Sequence, residues 1–503
     1  MNGGPASAGP PPRPMRKLVV LSTDYQVRCA VTSGALDAVD DDETFYVGSA
    51  RNVLAPEELE AKPNFAGLVD EPEERRQIHQ SLRQLVLYAV RSRSRTIRSK
   101  LSPPKEGKAS RTLGLRLPWL RLSAKIDARY DARLPEKVAA LPGVRHVLVR
   151  RRLRALGLNP GLHRVMSEVR PDLVVATSAG TDDFAVDAVL SARALGVASL
   201  VIVVNWDNLS SKGSFAVQPD FMAVWGEQTK DHAVHIHGMP SDRVSALGVP
   251  TFDQYFRHVP GSTTSPFPFP YVLFAGSFTA FDELSAIERL DEAIEREGLD
   301  LTVVYRPHPV RQPRLRSDFV DEERFGHVVI DPQVRDIYLE RQELYALRKR
   351  DRPVPVFPAL DYYPALLENA RFVVCPLSTM IVESAIFERR VVVVAYDDDL
   401  HPSSPAVVVN YDHFDGVDRI EGFEVARTPE AMVGAFLELA RGNATSPDPP
   451  LRGQIRPWVH HEEGTTYAER LARLVEEIGR VRGLPAPGSA SSPSSSGARR
   501  VPA

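Results

Sequence analysis

The chain has few cysteines, no long apolar run and almost no net charge, and each of these absences excludes a class of protein. Its 503 residues include two cysteines, Cys29 and Cys375, too few for a disulfide framework or a cysteine-built metal cluster. The longest apolar run, around residues 198–204, is far shorter than the ~20 residues that cross a bilayer. A formal net charge of −3 gives the whole molecule no bias toward nucleic acid. The remaining composition, 43% hydrophobic and 25% charged, is that of a globular protein.

The length and the composition of the two ends predict the domain organisation. Single cores stop growing at about 250–300 residues, so we expect more than one domain. Residues 1–15 are rich in Gly, Pro and Ala without an apolar signal core, and residues 483–503 are rich in Pro, Ser, Ala and Gly, so both are predicted to be disordered. Residues 260–270 contain four prolines and are the best linker candidate. This predicts an N-terminal domain over 16–259 and a C-terminal domain over 271–482.

Apolar β-branched runs alternate with segments of helical spacing on both sides of the linker. Such alternation predicts parallel βαβ units with right-handed crossovers. Because the pattern restarts after the linker, we predict an α/β protein with two doubly wound, Rossmann-like domains that face an interdomain cleft. Strands are expected at residues 17–22, 44–47, 172–176, 198–204, 221–225, 244–247, 271–274, 301–305, 327–330, 371–374 and 390–395, and helices at 182–195, 228–237, 283–297, 363–369, 379–387 and 468–481.

A basic segment of about residues 75–155 interrupts the first domain. Residues 75–154 contain 22 Lys and Arg but only 4 acidic residues, and residues 78–90 and 113–126 have the apolar spacing of helices. The segment therefore looks like a helical insertion. One interpretation is that the segment binds an anionic acceptor or contacts the inner face of the cell membrane. The other is that it forms a basic face exposed to solvent. Without a signal core, and with two cysteines in apolar surroundings, the expected location is cytoplasmic.

The motif Arg306-Pro307-His308-Pro309 follows an apolar run, where a buried strand is expected to end. Two prolines fix the backbone there and project both polar side chains. Arginine pairs bidentately with phosphate, and histidine adds a hydrogen bond or a charge. Since ligands of open α/β sheets bind beyond the carboxyl ends of the strands, Arg306 and His308 are candidates for a diphosphate site. The alternative is a rigid turn with an incidental histidine.

Two further strand ends carry small polar residues. Ser378 and Thr379 precede an apolar helix, where hydroxyls cap the helix start and free N–H groups bind anions. Glu383 lies one turn later on the same helix face and can accept two ribose hydroxyls. Gly276 and Ser277 follow the first strand of the second domain and permit close approach of backbone to phosphate. Simple capping and an ordinary turn are the alternatives.

Candidate acceptor and catalytic groups follow strands of the first domain. Asp183 begins a helix and can act as a general base, although acids are also common there as caps. The loop of residues 205–213 is dense in polar groups. In it, Asp207 is a second candidate base, Trp206 can stack on a sugar and Lys212 can contact phosphate. The alternative is a solvated turn with Trp206 packed on the core.

Together these motifs resemble GT-B transferases of bacterial surface-polymer synthesis. The Arg306-to-Pro309 strand end, the Ser378-Thr379 helix with Glu383, and the stretch of residues 464–470 resemble the CDP-glycerol glycerophosphotransferase group and GT-B enzymes with a His-Pro motif. Residues 221–230 and 248–253 are similar to the end of the first domain in these families. Residues 171–180 resemble a strand of the non-hydrolysing UDP-GlcNAc 2-epimerases, which share the fold.

This resemblance covers about residues 171–470 and implies that His308, Ser378 and Thr379 bind the phosphates of a nucleotide donor. It departs from both families in places. The glycerophosphotransferases usually have Asp-Tyr-Ser-Ser where residues 376–379 read Pro-Leu-Ser-Thr, the acidic catalytic set of the epimerases is not found, and the basic insert has no counterpart.

The expected function is metal-independent transfer of a glycosyl or glycerophosphoryl group from a nucleotide-activated donor, without a cofactor, to a surface-polysaccharide or teichoic-acid-like acceptor. The partners expected are this donor, an anionic lipid-linked or polymer acceptor and a membrane surface at the basic insert, with no nucleic acid. An epimerase of the same fold and a noncatalytic nucleotide-sugar or polymer-binding protein remain as alternatives.

Overall fold

The computed structural model describes residues 13–101, 142–308, 320–343 and 358–485, apart from 179, 181, 213–214, 280, 402 and 443–446. The predicted helix at 113–126 and most of both predicted disordered ends lie outside the described residues. Cys29 and Cys375 are free and buried, as predicted.

The first sheet is parallel and has seven strands. Its order is β3-β2-β1-β4-β5-β6-β7, so the order reverses between β1 and β4. The register pairs Val20 of β1 with Ala176 of β4. The strands are β1 Lys17–Leu21, β2 Thr44–Ser49, β3 Phe65–Val69, β4 Leu173–Ser178, β5 Ala198–Val203, β6 Phe221–Val224 and β7 Val244–Ala246.

The second sheet is also parallel, and its six strands are ordered β10-β9-β8-β11-β12-β13. The order reverses between β8 and β11, which creates a second switch point. The strands are β8 Tyr271–Ala275, β9 Thr302–Arg306, β10 Val328–Ile330, β11 Val373–Pro376, β12 Val391–Val394 and β13 Phe423–Ala426. The predicted fold class, two doubly wound Rossmann-like units, is confirmed.

Helices cover the faces of both sheets. The first unit holds α1 Asp24–Val27, α2 Glu57–Glu60, α3 Glu73–Val90, α4 Arg95–Leu101, α5 Pro142–Leu156, α6 Pro160–Val169, α7 Asp183–Leu195, α8 Asn208–Ser211, α9 Glu227–Asp231 and α10 Asp253–Phe256. After it come α11 Glu283–Glu297, α12 Pro332–Glu343, α13 Tyr362–Asn369, α14 Met380–Ile386, α15 Pro405–Val408, α16 Pro429–Arg441, α17 Leu451–Gln454 and α18 Tyr467–Arg482. No helix among the described residues is long and apolar enough to cross a membrane.

Most predicted elements appear within a few residues of their expected bounds. An exception is the helix predicted at 228–237, where α9 ends at Asp231 and a π-helical turn, His232–Ile236, continues the chain. A second π-helical turn, Arg28–Thr32, follows α1. Apolar spacing does not distinguish these turns from an α-helix, because the extra residue per turn leaves a short apolar pattern almost unchanged.

The last helix returns to the first sheet. Tyr467, Leu471 and Val475 of α18 join the core formed by Val19 and Leu21 of β1. A capping box between Thr466 and Glu469 fixes the start of this helix. The predicted C-terminal domain, residues 271–482, included this helix, whereas its apolar face is buried with the N-terminal strands.

An aromatic core joins the two lobes. Trp206 and Trp225 follow β5 and β6 of the first lobe and stack on each other, and Trp206 also packs against Phe414, between β12 and β13, and Trp458, after β13. A Cβ atom added at Gly226 would lie 2.6 Å from the backbone of Trp458. Only glycine allows the two backbone segments to come this close, so the two lobes are in direct contact at Gly226 and Trp458.

Candidate functional site

Three strand ends converge at the switch point of the second sheet. The Gly276 N–H after β8 donates to the Arg306 carbonyl of β9 over 2.8 Å. The Ser277 hydroxyl donates to the Leu377 carbonyl after β11 over 3.1 Å. A Cβ atom on Gly276 would lie 2.9 Å from Glu283 Oε2 and 3.1 Å from the His308 nitrogen. The sheet therefore brings together Gly276, Ser277, the Arg306–His308 segment and the start of α14.

Arg306 lies in the floor of this site rather than on its surface. Its side chain is 5% exposed and pairs with the buried Asp331 carboxylate, while Nη2 donates to the Tyr363 hydroxyl over 2.8 Å. Both terminal nitrogens therefore already contact protein acceptors, and the predicted bidentate contact with phosphate stays a prediction. The partner Asp331 lies directly beyond β10 and could not be matched to Arg306 from sequence alone.

His308 lies at the edge of the same site and is half-buried. Its ring centroid is 5.8 Å from that of Phe278, and the Phe278 side chain is 72% exposed. The imidazole thus lies on the open side of the strand end, beyond the buried Arg306.

The start of α14 holds Ser378, Thr379 and Glu383. The Ser378 hydroxyl accepts from the Met380 N–H over 3.3 Å, and the Thr379 hydroxyl donates to Glu383 Oε1 over 3.2 Å. The Glu383 carboxyl is buried. Burial raises its pKa to about 7, against the opposing effects of the Thr379 hydrogen bond and the charge of Arg306. This carboxyl therefore changes its charge near neutral pH.

Two tyrosines of the first lobe, Tyr25 and Tyr255, interact with Glu383, and sequence reasoning missed them. The Tyr255 hydroxyl, from α10 of the first lobe, is 3.5 Å from Glu383 Oε2. Burial, and also the charge of Glu383, raise the pKa values of Tyr25 and Tyr255 well above their usual range. Tyr25 follows β1 and donates to Asn205 Oδ1 over 3.0 Å. Strand-end loops of the first lobe thus reach the carboxyl of the second, a meeting that only tertiary structure reveals.

Asp207 and Lys212 lie together at the start and end of α8. Lys212 Nζ is 3.8 Å from Asp207 Oδ1, and the two side chains are 26% and 28% exposed. The Ser211 hydroxyl donates to Asp207 Oδ2 over 2.8 Å. Burial opposes ionisation of Asp207, but Lys212, His413 and the Ser211 hydrogen bond hold its pKa below the usual value. Asp207 is therefore an accessible, ionised carboxylate.

Asp183 has a different environment. Arg83 Nη1 of α3 lies 2.6 Å from Asp183 Oδ1, and His79 Nδ1 lies 3.7 Å from the same oxygen. Asp187, one turn later, binds both His79 and Arg75. These contacts attach the basic insert to α7 and give Asp183 an anchoring role.

Trp206 belongs to the core between the lobes. It is 3% exposed, and the rings of Trp225, His413, Phe414 and Trp458 surround it at centroid distances of 5.1 to 6.4 Å. The prediction of a sugar-stacking platform is wrong for this arrangement, because a covered ring offers no face to a ligand. Packing of Trp206 on the core was the alternative.

Solved structures that match the chain share its fold at low sequence identity. A putative UDP-N-acetylglucosamine 2-epimerase from Listeria monocytogenes matches with 12% identity and a TM-score of 0.50, covering 93% of this chain and 98% of that chain. The glycosyltransferase SnogD from Streptomyces nogalater matches with 15% identity and a TM-score of 0.41, covering 92% and 99%. No protein-family model matches the chain, and no curated protein sequence matches it. The likeness to the Listeria structure establishes a GT-B-like fold.

Proposed function

We propose that the chain is a GT-B transferase that moves a glycosyl or glycerophosphoryl group from a nucleotide-activated donor to a surface-polysaccharide or teichoic-acid-like acceptor. The observation that carries the proposal is the convergence of three strand ends at the second switch point, where His308, the start of α14 and Glu383 share one edge of the sheet. Crevices of this kind, beyond the carboxyl ends of the strands, bind ligands such as nucleotides in open α/β sheets.

The donor diphosphate would lie between His308 and residues 378–379. The imidazole offers an N–H donor and the Ser378 hydroxyl a second, and the Thr379 hydroxyl becomes a third once a bound ribose replaces its contact with Glu383. Gly276 supports this interpretation, because its missing side chain leaves the backbone of two strand ends in contact. Arg306 would position the site rather than contact the donor, because its buried ion pair with Asp331 fixes the strand end that carries His308. Such donors stabilise the charge that develops on a departing nucleotide phosphate.

Glu383 would accept the ribose hydroxyls. Its Oε1 atom already accepts from Thr379, and its Oε2 atom is within 3.5 Å of the Tyr255 hydroxyl. Two hydroxyls of a ribose can replace or extend these contacts. A bound ribose would favour the ionised form of a carboxyl whose pKa is near 7.

Asp207 would remove the proton from the acceptor hydroxyl. It is partly exposed, follows a strand of the opposing lobe and is ionised. A positioned carboxylate contributes typically 10²–10⁴-fold as a general base. Asp183, the other candidate from sequence, pairs with Arg83 and is assigned to anchoring the insert.

A donor screen tests the proposal. UDP-, CDP-, GDP- and CMP-sugars are added separately to the full chain, and the unfolding temperature is measured. At least one nucleotide should raise it, since ligands that bind only the folded state stabilise it by mass action. Lack of stabilisation by every nucleotide would contradict the donor site.

Product analysis then separates the reaction classes. A transferase should consume the donor only when an acceptor is present. Interconversion of UDP-sugars without an acceptor would indicate an epimerase instead. Nucleotide binding that persists with no turnover, and that Asp207→Asn leaves unchanged, would indicate a noncatalytic binding protein.

A further inference from the structure

The short helix α8 is held in place by three parts of the chain. Ser210 in this helix is fully buried. The Ser94 hydroxyl, immediately before α4 of the basic insert, lies 2.7 Å from the Ser210 carbonyl oxygen. Within the first lobe, His237 Nε2 donates to the Leu209 carbonyl over 2.6 Å. From the second lobe, His413 Nδ1 lies 2.9 Å from the Ser210 hydroxyl. The basic insert and both lobes therefore meet at this helix.

The Ser210 hydroxyl connects His413 to the backbone of Asp207. Its oxygen also lies 3.2 Å from the Asp207 carbonyl oxygen. A hydroxyl has one proton and a carbonyl can only accept, so a hydroxyl that donates to Asp207 is left to accept from His413. Burial lowers the pKa of His413 to about 3, so its ring is neutral and has one N–H group. With this proton on Nδ1, a continuous hydrogen-bonded path runs from His413 through Ser210 to Asp207.

The side chain of Asp207 depends on the same helix. The Ser211 N–H donates to the Asp207 carbonyl over 2.9 Å, and the Ser211 hydroxyl donates to Asp207 Oδ2 over 2.8 Å. A shift of α8 would therefore move the carboxylate together with the backbone. A general base must lie within hydrogen-bond reach of the proton that it removes, and a displacement of about 1 Å can cost about 10²-fold in rate.

His413 is itself firmly fixed in the second lobe. It is 5% exposed, and its ring centroid lies 4.4 Å from that of Phe414 and 5.7 Å from that of Trp206. The preceding residue, Asp412, accepts from the Thr96 N–H of α4 over 3.1 Å. A ring without nitrogen would supply the same packing, whereas the nitrogen adds a directional contact with α8.

We propose that His413 is a positioning residue for Asp207, which it fixes through Ser210, so that the carboxylate has its working position only while the two lobes are in contact. The inference rests on the proposed transferase function and deepens it, because the proton acceptor in one lobe depends on a side chain of the other. A ligand that draws the lobes together would complete the site, as closing segments do in other enzymes.

Hydrogen exchange of the Ser211 amide in the full chain, without added ligand, is the first test. His413→Phe keeps the ring and removes the nitrogen, and should accelerate exchange about tenfold. Gln228→Ala is the matched control: Gln228 Nε2 donates to the Asp415 carbonyl over 3.3 Å, a contact between the lobes that does not involve α8. This control should stay within about twofold of the wild type.

A conservative variant completes this test. In His413→Asn the amide nitrogen can replace Nδ1, so the Ser211 amide should keep its slow exchange. Two results would overturn the proposal: unchanged exchange in His413→Phe, or equal acceleration in His413→Phe and Gln228→Ala, which would mean a general loosening of the lobes. Equal unfolding temperatures of the variants exclude loss of fold.

Steady-state kinetics with the donor and acceptor identified by product analysis is the second test. His413→Phe and Ser210→Ala should each lower kcat about tenfold and leave the donor KM within about twofold, because the donor site is untouched. The double variant should lose no more than either single variant, since both break the same path. His413→Asn should recover most of the lost kcat. A raised donor KM with normal kcat would contradict a positioning role.

Asp207→Asn separates this inference from the proposed function. If Asp207→Asn lowers kcat and His413→Phe does not, the positioning role fails and the proposed function stands. If Asp207→Asn leaves kcat unchanged, or no donor is turned over, the proposed function fails. Exchange of the Ser211 amide then decides alone: acceleration in His413→Phe supports the contact through Ser210, and unchanged exchange overturns it.

Discussion

The Tyr255 hydroxyl of the first lobe lies 3.5 Å from the Glu383 carboxyl of the second. This contact connects α10 to the helix that follows β11, so the proposed donor site includes groups from both lobes. A carboxyl in this position is sensitive to two events, the approach of the lobes and the arrival of a ribose, because each changes the groups that donate to it. Glu383 is therefore the residue at which ligand binding and pH should be coupled.

The free energy of unfolding should depend on Glu383. Burial raises its pKa from the usual 4.5 to about 7, so the folded state binds more protons than the unfolded state between these values. Stability contributed by the neutral carboxyl is then full below pH 4.5 and lost as the pH rises through about 7. Glu383→Gln should remove this pH dependence, which amounts to a change in unfolding free energy on the order of 3 kcal/mol. Denaturant unfolding of both proteins across this range measures it, and parallel curves would contradict the shifted pKa.

Gly276→Ala should damage the donor site. The new Cβ would lie 2.9 Å from Glu283 Oε2 and 3.1 Å from the His308 nitrogen, which should cost about 1–3 kcal/mol of stability and weaken nucleotide binding. Gly434→Ala is the matched control: Gly434 lies within α16 and its Cβ would meet nothing within 4 Å. That substitution should stabilise the helix by about 0.5–1 kcal/mol. Chemical denaturation would detect both effects, and similar behaviour of the two variants would contradict the steric argument.

Asp412→Asn should loosen α4 from the second lobe. Burial disfavours the charged form of Asp412, but hydrogen bonds from Ser94, Thr96 and Arg95 outweigh it and lower its pKa to about 2. The stabilisation is therefore present above the usual value of 3.8 and lost as the pH falls through about 2. Hydrogen exchange of the Thr96 amide should accelerate about tenfold or more in the variant. Unchanged exchange would show that Asp412 does not hold the helix.

The variant Asp207→Asn should mainly lose activity, whereas Asp183→Asn should mainly lose stability. Replacement of Asp207 should lower kcat by about 10²–10⁴-fold, with a small loss of stability from its contact with Lys212. Replacement of Asp183 should instead release Arg83 and lower the stability of the insert, with a small effect on kcat. Steady-state rates and thermal unfolding of both variants check this. A loss of activity in Asp183→Asn and a loss of stability in Asp207→Asn would indicate that Asp183 is the base and Asp207 the structural residue.

Trp206→Ala should destabilise the contact between the lobes rather than only weaken acceptor binding. The ring is buried among Trp225, Phe414 and Trp458, and truncation of a buried tryptophan costs about 3–5 kcal/mol. Trp206→Phe keeps part of this packing and should retain most activity. A variant with normal stability and selectively lost acceptor affinity would support the stacking role instead.

Local sequence patterns predicted eleven of the thirteen strands in the described residues, because buried parallel strands are continuous β-branched runs, such as residues 391–394. The edge strands β3 and β13 were not predicted, since their residues are only partly buried and lack such a run. The patterns also placed Gly276, His308 and Ser378 at strand ends, and the switch point brings the loops that carry them to one edge. Patterns could not show that Arg306 would meet Asp331 or that Trp206 would be covered by Trp458. These contacts join residues far apart in sequence, and only packing decides whether a polar strand end or an aromatic ring faces the cleft.

The central claim is that the second switch point binds a nucleotide through His308. Isothermal titration of the nucleotide identified by the donor screen, with the wild type, His308→Ala and the control His327→Ala, tests it most directly. His327 precedes β10 and pairs with Glu295 at 2.8 Å. His308→Ala should weaken binding about tenfold or more, as expected for loss of a contact to a charged phosphate, and His327→Ala should not change it. Equal affinity of His308→Ala and the wild type would contradict the account.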